Sequence, residues 1–172
     1  MAFHGCSNVE SGPGDLPAAS TEKFIKLPPK TDLSVENTFF VIKLINGLLG
    51  GEITLNAGYI GPNGLISINA DLNIPQHSFL GIKLISYFVN DDYAAVDFFP
   101  ALTFNHSASF DLKFEGLDLT GVNPADVDFC YLDWSGHLHH VDYDNLIVDI
   151  PNGILEVQGA HLTHFSRYIF IR

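Results

Sequence analysis

Basic residues are scarce in this sequence: 8 Lys and Arg stand against 20 Asp and Glu in 172 residues, giving a formal net charge of −12. Nucleic acids and anionic membrane faces bind proteins through clustered positive charge, so neither is a predicted partner. No run of about 18 apolar residues occurs, so no segment is predicted to span a membrane. Because 47% of the residues are hydrophobic and only 16% are charged, the chain is expected to fold.

Cysteine is nearly absent as well. Cys6 and Cys130 lie far apart in different kinds of sequence, which excludes a metal-binding cysteine framework and a dense disulfide scaffold. The sequence also lacks a nucleophile elbow, a phosphate-binding loop, a zinc-protease helix and a dinucleotide fingerprint. We therefore predict no cofactor and no catalytic action on other molecules.

Residues 1–20 are rich in Gly, Pro, Ser and Ala, which predicts a flexible tether. Within it, Gly5-Cys6-Ser7 resembles the cleavage and lipidation site of bacterial lipoproteins, although Phe3 and His4 depart from that signal. The resemblance implies a lipid on Cys6, an export segment upstream of Met1 and a location outside the cytoplasm. The alternative is that Cys6 is an ordinary thiol on a tail.

Residues 21–172 are predicted to form a single all-β domain, an antiparallel β-sandwich with short hairpins and little or no helix. Gly, Pro, Asn or Asp interrupts this region about every ten residues, the spacing of sandwich strands. Residues 66–74 alternate strictly between apolar and polar side chains, and so do residues 110–115. Such strands bury one face and expose the other. Residues 127–133 alternate only in part, so this strand is expected to be covered on both faces.

Turn residues agree with this layout. Trp134-Ser135-Gly136 is predicted to close a hairpin, and Pro62-Asn63-Gly64 and Pro151-Asn152-Gly153 are predicted to form two more turns, each with Gly at positive φ. Residues 39–49 read as a strand followed by a turn. Helical periodicity is limited to a possible single turn at residues 124–126.

Four segments resemble a known family in their order along the chain. They are Leu48-Leu49-Gly50-Gly51-Glu52-Ile53, Ile74-Pro75-Gln76-His77-Ser78-Phe79, Phe99-Pro100-Ala101-Leu102-Thr103-Phe104 and Leu162-Thr163-His164-Phe165-Ser166-Arg167-Tyr168. Together they resemble ZU-five domains, the β-sandwich modules of ankyrins, zonula occludens proteins and netrin receptors, with relatives among bacterial surface lipoproteins. The resemblance covers residues 50–172 and departs from the family pattern at residues 75–78. It implies a structural or protein-interaction module.

The same resemblance draws attention to His164-Phe165-Ser166, because some ZU-five proteins cut themselves between Phe and Ser at this tripeptide. On a strand, His164 and Ser166 would share one face while Phe165 points to the other. His164 could then remove the Ser166 hydroxyl proton, and the oxygen could attack the Phe165 carbonyl in an N-to-O acyl shift. The reaction needs a kinked scissile bond and a donor to the oxyanion. The simpler interpretation is that the three residues only alternate in the last strand.

Metal-ion sites and a sugar site are two further functional interpretations, and each has a plain structural alternative. His137, His139 and His140, with Asp142 and Asp144 nearby, contain types of residue that bind zinc, but solvent-facing side chains are the simpler interpretation. The acidic segments 90–93 and 142–145 lack the spacing of a calcium loop. Asp133 and Trp134 could stack a sugar, whereas a hairpin Trp is as often a core or edge plug.

The sequence therefore predicts a non-catalytic, extracytoplasmic structural or protein-interaction module. We expect an unidentified protein partner, a monomeric domain, and contact with a membrane only through lipid on Cys6. Self-cleavage by His164, Phe165 and Ser166 is the first alternative function. A lectin-like module that binds sugar or calcium is the second.

Overall fold

The computed structural model describes residues 23–31 and 39–172, which contain eleven β-strands and a short 3₁₀ helix. The predicted tether and Cys6 lie outside these residues. In chain order the strands are β1 (Phe40–Asn46), β2 (Gly51–Gly61), β3 (Gly64–Ile74), β4 (Ile82–Val89), β5 (Ala95–Phe99), β6 (Thr103–Glu115), β7 (Asp128–Leu132), β8 (Leu138–His140), β9 (Asn145–Asp149), β10 (Ile154–His164) and β11 (Arg167–Ile171). The 3₁₀ helix at Pro124–Asp126 matches the predicted single turn. None of the described helices is long and apolar enough to cross a membrane.

The strands form two antiparallel sheets that pack face to face, which confirms the predicted β-sandwich. One sheet has six strands in the order β1-β4-β5-β11-β7-β8, and the other has five in the order β2-β3-β6-β10-β9. The chain therefore passes between the sheets several times. Its last passage leads from β10 into β11.

Alternating side chains place the core where the sequence predicted it. In β3 the apolar row from Ile66 to Ile74 is at most 1% exposed, while the residues between are wetter. In β6, Phe110, Leu112 and Phe114 are fully buried, and the strand ends before Gly116. Strand β7 is covered on both faces, as expected, because neighbouring Phe129 and Cys130 are both buried.

All three predicted glycine turns are present. Gly64 has a φ of 124°, Gly136 of 82° and Gly153 of 63°, a region that side chains with a Cβ disfavour. They close the β2–β3, β7–β8 and β9–β10 hairpins, respectively. A Cβ on Gly153 would also lie 2.4 Å from the Leu117 carbonyl oxygen, so no residue with a side chain fits at this position of the turn.

Tyr87 ties the two sheets together across the core. It lies on β4 of the six-stranded sheet and is fully buried. Its hydroxyl donates toward the carbonyl oxygens of Ile53 and Ala70, at 3.0 Å and 2.9 Å, which belong to β2 and β3 of the opposite sheet. Burial raises the pKa of this phenol far above its usual range, so it stays a neutral donor. The bond satisfies a polar atom that would otherwise be costly to bury.

We expect Tyr87→Phe to lower the free energy of unfolding by about 1–2 kcal/mol, since it removes the bond and leaves two buried carbonyls with one donor fewer. Urea unfolding followed by circular dichroism measures the change. Tyr93→Phe is the matched control, because the Tyr93 hydroxyl forms no hydrogen bond among the described residues. Equal stability of the two variants would show that the inter-sheet bond contributes nothing.

Candidate functional site

The structure places His164-Phe165-Ser166 at the passage between the sheets. His164 is the last residue of β10, and β11 begins only at Arg167. The expectation that the three residues alternate within the last strand is therefore wrong. Its physical reason is a shift in the pairing of β10 with β6 between Leu162 and His164, after which the chain leaves one sheet for the other. We call residues 164–168 the crossover.

The four segments that carry the family resemblance all lie at the end of the sandwich that holds the crossover. They contain the turn between β1 and β2 and the connections β3–β4, β5–β6 and β10–β11. Neighbouring segments also contact one another, since the Phe79 and Phe104 ring centroids lie 6.3 Å apart and the Phe165 amide donates to the Leu102 carbonyl at 2.7 Å. The segments on which the expected ZU-five resemblance depends thus lie in connections at one end of the sandwich.

Phe165 anchors the crossover in the core. Its ring stacks on Phe98 with centroids 5.0 Å apart and packs edge-on against Phe104 at 4.8 Å. The side chain is 5% exposed, so its predicted place in the core is confirmed. Aromatic contacts of this kind add to the area that the ring buries. Any reaction at the Phe165 carbonyl would therefore take place on a residue held by its neighbours.

His164 and Ser166 have separate hydrogen-bond partners. The Ser166 hydroxyl donates to the Leu132 carbonyl at 3.0 Å, and His164 Nδ1 lies 3.1 Å from the Thr163 hydroxyl. No hydrogen bond joins His164 to Ser166 in the described part of the chain. Burial lowers the pKa of the imidazole, and charge on neighbouring His139 lowers it further, so it is neutral near pH 7. His164 can accept a proton, but Ser166 would have to leave Leu132 to supply one.

The last two residues of the crossover also have structural partners. The Tyr168 hydroxyl donates to the carbonyl oxygen of His164, which closes the corner on itself. Arg167 Nε donates to Asp97 Oδ1 at 2.6 Å, across the β5–β11 pair. Asp97 is 6% exposed, and its Oδ2 has no hydrogen-bond partner among the residues that the structure describes. Burial raises the pKa of this carboxyl despite the guanidinium. This ion pair lies on the outer face of the six-stranded sheet.

The β7–β8 hairpin gathers two of the histidines around Asp133, which sequence reasoning considered only as a sugar ligand. Asp133 Oδ2 lies 2.9 Å from His139 Nε2 and 3.5 Å from His137 Nδ1, while Oδ1 accepts the amides of Ser135 and His137. The bond from His139 and these amides lower the pKa of Asp133 to about 2. An Asp at the start of a tight turn is the sequence signal that could have identified Asp133 as the centre of these hydrogen bonds.

His140 turns to the opposite side of the hairpin, where its Nδ1 lies 2.9 Å from Asp128 Oδ2. The three histidines are thus divided between two carboxylates. No group of three or more His, Cys, Asp or Glu in residues 23–31 and 39–172 is arranged to hold a metal ion. Trp134 is 99% exposed at the tip of the hairpin, so it is neither a core plug nor an edge plug.

An exposed apolar surface on the six-stranded sheet was missed by the sequence analysis. Alternate residues of β1 and β4, such as Ile45 and Tyr87, point into the core. Five of the residues that alternate with them point outward and, together with Phe99 of β5, are 44–63% exposed, whereas Ser86 among them is buried. We call this set the apolar outer face: Phe40, Ile42 and Leu44 on β1, Ile82 and Leu84 on β4, and Phe99 on β5.

Neighbouring strands bring these six side chains into one surface. Leu44 is directly opposite Leu84, Ile42 is opposite Ser86, and Ser86 is in turn opposite Phe99. Half-buried Phe88 stacks on Phe99 with centroids 5.8 Å apart and extends the surface toward Asp97 and Arg167. No Asp or Glu belongs to the face itself.

The intact mass of the purified chain tests the crossover as a self-cleaving site. We expect a single uncut species of 18.9 kDa, because the Ser166 hydroxyl is bonded to Leu132 and does not contact His164. Fragments of 165 and 7 residues that disappear in Ser166→Ala would show instead that the bond between Phe165 and Ser166 is cut. Ser67→Ala is the control, since it removes a serine hydroxyl from β3 and changes neither His164 nor Ser166.

Comparison with known proteins assigns the chain to no family. No family model matches it, and no curated protein or solved structure matches it either. The likeness to ZU-five domains therefore depends on the four sequence segments alone. The β-sandwich itself is a finding of the structure.

Proposed function

We propose that this chain is a non-catalytic protein-interaction module of ZU-five type, which docks a protein partner on the apolar outer face. The observation that carries the proposal is the exposure of six large apolar side chains on one sheet surface. Single exposed hydrophobic residues are ordinary, but contiguous patches of several hundred Å² mark interaction sites. Six side chains of about 200 Å² each, about half exposed, offer on the order of 600 Å².

The two outer faces of the sandwich differ sharply in charge. On the five-stranded sheet the outward residues include Glu52, Asp71, Asp111, Glu115 and Glu156, with Lys113 pairing Glu115 at 2.6 Å. The apolar outer face carries none, and its nearest carboxylate, Asp97, is paired with Arg167. Partners avoid desolvating unpaired charges, so they would favour the six-stranded side. The charge distribution therefore supports a partner on this face.

The location of the module rests on sequence alone. Gly5-Cys6-Ser7 and the tether that follows support an extracytoplasmic lipoprotein, with residues 7–20 linking the sandwich to a lipid on Cys6. A tether of that kind leaves the sandwich free to meet a partner near the membrane. Lipid anchorage and protein docking are separate parts of the proposal.

Self-cleavage is the first alternative, and the specific observation in its favour is the pairing shift that precedes His164. Both peptide groups flanking the scissile bond are held, however, because the Phe165 amide donates to Leu102 and the Ser166 carbonyl accepts from the Phe98 amide at 3.2 Å. Attack on the Phe165 carbonyl would require these bonds to distort. These hydrogen bonds therefore favour an intact Phe165–Ser166 bond over self-cleavage.

Sugar binding has the exposed Trp134 ring in its favour. A sugar site also needs hydrogen-bonding groups beside the stacking ring. The carboxylate next to Trp134 belongs to Asp133, and it already bonds to Ser135, His137 and His139. The hairpin therefore supports this alternative less well than the apolar outer face supports docking.

Selection from a displayed library of random peptides tests the docking face. We expect the wild-type chain to enrich apolar peptides whose affinity falls at least about tenfold for Leu44→Glu, since a buried charge there would lack a partner. Ile60→Glu is the matched control, because Ile60 is exposed on the β2–β3 hairpin of the other sheet. Peptides that bind Leu44→Glu as tightly as wild type would place docking elsewhere.

Metabolic labelling with an alkyne fatty acid tests the anchor. In the native host we expect the chain to become labelled and to fractionate with membranes, and Cys6→Ser to lose both properties. Cys130→Ser is the control, since Cys130 is buried and burial, with neighbouring Asp128, raises its pKa to about 12. Labelling that survives Cys6→Ser would remove the support for a lipoprotein.

A further inference from the structure

We infer that the partner on the apolar outer face is a second copy of this chain, related to the first by a twofold axis. The inference rests on the proposed docking function and names the occupant. A twofold interface uses the same patch on both copies, so the patch must be complementary to itself. An uncharged sheet face built from Leu, Ile and Phe meets that condition, because apolar side chains pack against apolar side chains.

The area of the face is sufficient for a stable pair. Two copies that each contribute on the order of 600 Å² would bury about 1,200 Å², the lower bound for specific interfaces. The face therefore needs no other protein to reach the size of a specific contact.

Charge restricts where two copies can meet. Each chain has a formal net charge of −12, so copies repel at most approaches. The five-stranded face would bring acidic rows together, whereas the apolar outer face brings together only neutral side chains and the Asp97–Arg167 pair. Salt would screen the remaining repulsion, and association is expected to strengthen as salt rises.

The contact is between faces and not between strand edges. β1 is the edge strand of its sheet and carries Lys43 in the middle of its length. The Lys43 ammonium crosses to the other sheet and donates to the Glu52 carbonyl at 2.7 Å. A lysine on an edge strand opposes the addition of another strand. Two copies would instead stack their sheets at about the 10 Å spacing of packed sheets.

Sedimentation velocity of the full chain tests the inference, with protein from about 1 to 200 µM, the range in which weak and moderate dimers dissociate. We expect wild type to approach twice its 18.9 kDa mass, and more completely in 0.5 M than in 0.05 M salt. Leu84→Glu should raise the dimer Kd at least about 100-fold, because a twofold interface loses the side chain twice.

Leu65→Glu is the matched control, since Leu65 is exposed to a similar degree (63%, against 55% for Leu84) but lies on β3 of the other sheet. It should dimerise like wild type, and thermal unfolding should show that both variants are folded. A dimer that also dissociates in Leu65→Glu, or survives in Leu84→Glu, would overturn the assignment of this face.

The outcome also separates the two levels of the proposal. Wild type that stays monomeric at every concentration, while peptides still bind it and fail to bind Leu44→Glu, would reject the second copy and leave the docking function standing. Wild type that is monomeric and binds no peptide would reject both. Cosedimentation with phosphatidylcholine vesicles, lost in Leu84→Glu, would make the occupant a lipid surface and overturn the second copy.

Discussion

The architecture depends on the corner at which β10 leaves one sheet and becomes β11 of the other. Four side chains of the crossover each have a different partner: Phe165 stacks in the core, Ser166 bonds to Leu132, Arg167 pairs with Asp97, and Tyr168 bonds to the His164 carbonyl. Bonds to β5, to the end of β7 and to the β5–β6 connection thus converge within five residues. The segment that the sequence offers as a reactive site is also the connection between the two sheets.

Much of the architecture follows from alternation along the chain. Alternation predicted two strands and their buried faces, because apolar residues on one face alternate with polar residues on the other. These strands are β3, with the apolar row from Ile66 to Ile74, and β6, with Phe110, Leu112 and Phe114. The crossover could not be predicted in the same way. His164-Phe165-Ser166 alternates as a strand would, and the pairing shift before it depends on β6, which is distant in sequence.

The apolar outer face escaped the sequence analysis for a related reason. Residues 39–45 are apolar on both sides of β1, a pattern usually associated with burial on both faces. Only the order of strands shows that β1 lies at an edge and that nothing described covers its outer side. Among the described residues the apolar outer side of β1 therefore stays exposed.

The exposed position of Trp134 has a practical meaning for the study of this molecule. It is the single tryptophan of the chain, and its indole is already surrounded by water in the native state. Its emission would therefore change little when the sandwich melts, and intrinsic fluorescence would report folding poorly. The same ring is a sensitive optical probe for anything that touches the β7–β8 hairpin. A molecule bound there would shield the indole from water and change its emission, whereas unfolding would not.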